Sequence, residues 1–110
     1  RYAARAQRFR ERNPDVPVIE NLDAKILGII ESGTGALEMC RWHTCETTHC
    51  MAGWAIHLAG EAGKELEANV GPAIAGRRLW IAATGRAPHF YATNERALED
   101  LRERAAAVAS

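Results

Sequence analysis

Residues 40–60 read CRWHTCETTHCMAGWAIHLAG. This stretch holds all three cysteines, three of the four histidines and two of the three tryptophans of a 110-residue chain. Its first part, around residues 36–46, has no clean period and reads as a buried loop or a short extended segment. Its second part reads as a helix starting near Thr47 or Thr48, either hydroxyl serving as an N-cap. That helix runs through Trp54 and Leu58 to Gly60, which suits a left-handed C′ position. Gly53 inside it implies a close packing contact, because glycine weakens a helix interior.

Outward from this junction the pattern stays helical. Ile19, Leu22, Ile26, Ile29 and Ile30 recur with helical period and predict a helix over about residues 20–32, with Asn21 or Asp23 as its cap and Gly33 as its stop. Ala62–Asn69 predicts a short helix, and Pro72, following Gly71, opens another that Gly85 ends. Residues 85–93, GRAPHFYAT, read as a loop with an aromatic tip. Thr93 or Asn94 caps a last helix whose apolar stripe is Leu98, Leu101, Ala105 and Val108. The expectation is an all-α fold: one small domain of five to six short helices, orthogonally packed. Its core should contain Ile19, Leu22, Ile26, Ile29, Trp54, Ile56, Leu58, Leu79, Trp80, Leu98 and Leu101.

The N-terminal residues 1–12, RYAARAQRFRER, are separated by Pro14 and Pro17 from the domain at 13–110 and read as a basic helical arm. Arg1, Arg5, Arg8 and Arg12 fall on one helical face, with Tyr2, Ala6 and Phe9 on another. Residues 1–12 carry five arginines against one glutamate, whereas residues 13–110 carry nine basic against thirteen acidic groups. The whole chain is formally neutral, so it has no general attraction for nucleic acid or membrane. A nucleic-acid contact is confined to the 1–12 segment, and the plainer expectation is a solvated helix with Tyr2 and Phe9 docked on the body.

No apolar run approaches the ~18–20 residues needed to cross a bilayer, and no apolar core follows the N-terminal charge as in a signal peptide. An odd cysteine count argues against a secreted disulfide scaffold, so a cytoplasmic location is expected.

Three chemistries compete for the Cys/His stretch. The first is a metal site: zinc takes thiolate and imidazole ligands, and Cys45, His49, Cys50 and His43 are the candidates. The second is a nucleophilic thiol: Cys50 lies at a helix start, where N–H groups and the dipole favour thiolate, with His43, His49, His57 or His89 as candidate base. The third is structural: a buried Cys50 packed on Trp54, or a Cys45–Cys50 disulfide tying loop to helix. The structural reading leads, with a protein partner or self-association as the mode of action. Arg5, Arg8 and Phe9 of the first helix and Phe90 and Tyr91 of the late loop are the candidate contact residues.

The run His43 to Ala55, HTCETTHCMAGWA, resembles the C-x-T-x-x-C-x-A-G-W-A signature of a group of small bacterial and phage-encoded proteins. The likeness extends through Leu58–Gly63 and Phe90–Leu98, over about residues 18–105. It implies a discrete bacterial or phage domain with a paired-cysteine loop–helix junction, and it implies no activity. Cys40 lies outside the signature.

Overall fold

The computed structural model describes residues 2–39, 43–45 and 48–109. Six helices and three very short strands follow in the order α1 (Tyr2–Arg12), α2 (Leu22–Glu31), β1 (Ala36–Leu37), β2 (His43–Cys45), β3 (Thr48–His49), α3 (Met51–Leu58), α4 (Gly60–Val70), α5 (Pro72–Thr84) and α6 (Asn94–Ala109). The fold is all-α, as the helical periodicity predicts.

Helix α3 is the centre. Met51 to Ile56 are all buried, and a helix apolar all round must be surrounded. It packs on α4, α5 and β3. The α3–α5 crossing is close because Gly76 has no side chain: a Cβ there would collide with the Cβ and Cα of Ala52. Two indoles then fix α3 to its surroundings. Trp80 of α5 donates its ring N–H to the carbonyl oxygen of Met51 at 2.9 Å, and Trp54 donates to that of Ala36 at 2.8 Å. Gly35 lets the chain pass against the Trp54 ring, for a Cβ there would meet its Cζ2 at 2.8 Å.

The strands occupy the segment expected to be a loop or short extended piece. β3 lies in the middle, parallel to β1 (Ala36 opposite Thr48, Leu37 opposite His49) and antiparallel to β2 with a register irregularity. This corrects the helix start. Thr48 is in a strand, Thr47 lies outside the described residues, and the helix begins at Met51 with Cys50 as N-cap. Gly60 has φ 67, so it does take the left-handed position after α3 before the chain turns into α4.

The α2 cap differs in kind from the expectation. Asn21 holds the N-cap position in the left-handed region, φ 53, without a side-chain cap. Asp23 lies within the first turn, its Oδ1 accepting from the N–H of Ala24. Thr93 caps α6 through the N–H of Arg96, as predicted.

Of the predicted core, Ile19, Leu22, Ile26, Trp54, Ile56, Leu79, Trp80 and Leu101 are buried. Ile29 and Leu58 pack partly exposed at its edge, and Leu98 is half-buried. The first helix is part of this body. Ala6 is buried, Phe9 packs on the core, and Arg10 donates to the carbonyl oxygen of Ala82 at 2.8 Å. Gly85, with φ 87, leaves room for the backbone of Tyr2. No helix among the described residues is long and apolar enough to cross a membrane.

Candidate functional site

Cys50 is extended, φ −79 and ψ −179, at the corner where β3 becomes α3. Its Sγ accepts from the N–H of Gly53 at 3.3 Å and its carbonyl oxygen from the N–H of Trp54 at 2.8 Å. These two bonds are the side-chain and main-chain halves of an N-cap, made here by sulfur instead of the usual oxygen. The thiol is 1% exposed. Burial pushes its pKa above the ordinary 9.0; bonds from the backbone N–H groups of the turn pull the other way and lose.

Both properties weigh against the activated nucleophile among the three readings. A reactive thiol needs both a thiolate and access, and the burial of Cys50 disfavours both. The disulfide is corrected as well. Cys50 is a thiol, with its sulfur engaged as the helix cap, and no Cys45–Cys50 bond is formed.

The histidines do converge, as stacked rings. His49, 3% exposed, stacks on His57 with ring centroids 4.8 Å apart and an interplanar angle of 28°. Trp54 meets both edge-on, at 4.7 Å from His49 and 5.6 Å from His57. His57 and Trp54 are one turn apart on α3, and β3 delivers His49 over them. Stacking turns ring faces toward each other, whereas chelation needs in-plane nitrogen lone pairs to meet at one point. Among the described residues, no group of three His, Cys, Asp or Glu side chains is placed to hold a metal ion, so His49, Cys50 and His57 do not form a zinc site with one another. The side chains of His43 and Cys45, and Cys40 entirely, lie outside the described residues. His89 is exposed on the loop before α6.

The contact residues divide. Arg5 and Arg8 are exposed, and together with Arg12 they make no hydrogen bond or ion pair among the described residues. Tyr91 is 79% exposed. Phe9 and Phe90, in contrast, turn inward against the core, so neither is an outward anchor.

The sequence pattern missed the buried charges. Arg104 is 5% exposed, with its guanidinium 5.3 Å from the Trp80 ring centroid and its Nε bonded to Asp100 at 2.9 Å. Asp23 is 3% exposed. The signal for Arg104 is its place one helical turn after Leu101, on the face that Ala97 and Leu101 bury. A cavity of about 270 Å³ lies between the 85–93 loop and α6, with Met51 in its lining and charges of both signs around it.

No protein-family model, curated protein or solved structure matches the chain.

Proposed function

We propose that this chain is a helical interaction module that self-associates through the basic face of α1. The observation behind this reading is that Arg5, Arg8 and Arg12 stand exposed and unpaired among the described residues, on a helix whose other face is docked on the body. A docked helix presents its charges at fixed spacing, so little order is lost on binding. The rest of the sequence carries the opposite excess: residues 13–110 hold thirteen acidic against nine basic groups. A second copy therefore has the complementary charge.

The junction supports an interaction role over catalysis. Its sulfur caps a helix, its Trp54 indole ties α3 to β1, and its histidines stack. The resemblance of His43–Ala55 to a signature of small bacterial and phage-encoded domains is in keeping with a module of this size.

Removing residues 1–12 is a poor test, since it strips Ala6 and Phe9 from the core. Reversing the charges of Arg5, Arg8 and Arg12 to glutamate leaves the docked face intact. Sedimentation at about 50 mM and about 500 mM salt, where the screening length differs about threefold, reads the association. The native chain should associate at low salt and dissociate at high salt, and the reversed variant should stay monomeric. A native chain that is monomeric at both salt concentrations rejects the proposal.

A further inference from the structure

Three polar or charged side chains are buried among the described residues, Asp23, His49 and Arg104, and two of them line one cavity. The cavity has a volume of about 330 Å³ and lies where α1, α2 and α6 meet the end of α5. Asp23 and Arg104 carry opposite charges, yet they make no ion pair with each other among the described residues.

Each is only partly satisfied by the protein. Arg104 spends Nε on Asp100 Oδ2 at 2.9 Å and Nη1 on the carbonyl oxygen of Arg86 at 3.3 Å, and Nη2 has no partner among the described residues. Asp23 spends Oδ1 on the N–H of Ala24 at 3.0 Å, and Oδ2 has no partner among the described residues. Among the described residues no fully enclosed side-chain nitrogen or oxygen lacks a partner, so Nη2 and Oδ2 both reach open space. Both side chains line this cavity, and Arg104 also borders the one between the 85–93 loop and α6. Buried charges with spare donors and acceptors call for a partner, whether solvent or ligand.

We propose that this cavity binds a small aliphatic α-amino acid, with its carboxylate on Arg104 and its ammonium group on Asp23. The guanidinium offers its remaining Nη2 hydrogens to a carboxylate as charge-assisted donors. The open oxygen of Asp23 takes an ammonium hydrogen. Asp23 and Arg104 put one charge of each sign on the same cavity wall, and a zwitterion answers both. Ala3, Leu22, Ala83 and Ala107 supply apolar wall for an aliphatic side chain. Arg86 stands at the same cavity with its guanidinium 4.7 Å from the Tyr2 ring centroid. The volume falls at the small end of the ~300–1,000 Å³ typical of ligand pockets. This site is independent of the self-association reading and stands or falls separately.

The test is a titration of the full chain, followed by backbone amide NMR, with three probes of one shape. L-Leucine carries both charges, 4-methylpentanoate lacks the ammonium and 3-methylbutylamine lacks the carboxylate. The expected result is a saturable shift with L-leucine at Leu22, Ala24, Arg104 and Ala107, and binding of each analogue at least about tenfold weaker. Asp23→Asn should lose L-leucine selectively and keep the weak 4-methylpentanoate response. The three probes on the native chain decide the matter even if that variant does not fold. No saturable shift with L-leucine up to about 10 mM overturns the proposal, as does equal binding of all three probes.

Discussion

Trp80 and Met51 are joined by a 2.9 Å hydrogen bond from indole N–H to carbonyl oxygen, both residues being fully buried. The bond holds the first residue of α3 to the middle of α5, one turn from the close crossing at Gly76. Trp80→Phe keeps an aromatic ring but removes the donor. The expected loss is about 1–3 kcal/mol, counting the stranded carbonyl, read as a lower urea midpoint with unchanged slope.

Gly76→Ala tests the crossing itself. The new methyl group would collide with the Cβ and Cα of Ala52, and Ala52 sits on a helix buried on every side, so neither element has room to yield. The variant should lose about 1–3 kcal/mol despite the better helix propensity of alanine, and its thermal midpoint should fall.

Cys50→Ala removes the cap on α3. The Sγ acceptor for Gly53 is lost and a small void is left, for an expected cost of about 1–2 kcal/mol. Cys50→Ser keeps an acceptor at the same place and should lose less. Equal losses in the two variants, measured by urea unfolding, would mean that the sulfur contributes packing alone.

The same thiol sets a pH dependence. Burial raises its pKa above 9.0, so at high pH the unfolded chain ionises while the folded chain stays protonated. Its contribution to stability is therefore constant below pH 9.0 and falls as pH rises beyond that value. Cys50→Ser should flatten this alkaline limb. Alkylation of Cys50 at neutral pH should be slow in the folded chain and fast once it is unfolded, as judged by mass spectrometry; rapid labelling of the folded chain would contradict the buried geometry.

Much of the architecture is legible in the amino-acid order because its determinants are local. Period, glycine stops, Pro72 after Gly71 and Thr93 before α6 each act within a few residues, and α5 and α6 lie where those signals put them. The start of α3 is less legible. Thr48 has the better capping side chain, but pairing of β3 with β1 draws it into a strand and passes the cap to Cys50. Propensity lost there to a contact between Ala36 and Thr48, which no local window contains. The candidate site fared likewise. The sequence brings His49, Cys50 and His57 to notice, whereas burial, stacking and the orientation of the sulfur decide what they do. The burial of Asp23 and Arg104 is not legible because each is an ordinary charge in an ordinary helix until α1, α2 and α6 close around it.

The docking of α1 on α5 bears on the order of assembly. Arg10 and Ala82 are 72 positions apart, so this contact closes a long loop, whereas α3, α4 and α5 are consecutive neighbours that find each other over short spans. Loop closure is slow when it is long, so α1 stays undocked until α5 has formed, although it precedes α5 in the chain. Until α5 is complete, the nascent chain presents Phe9 and its arginines together, so during synthesis this helix depends on solubilising charge to stay out of wrong contacts.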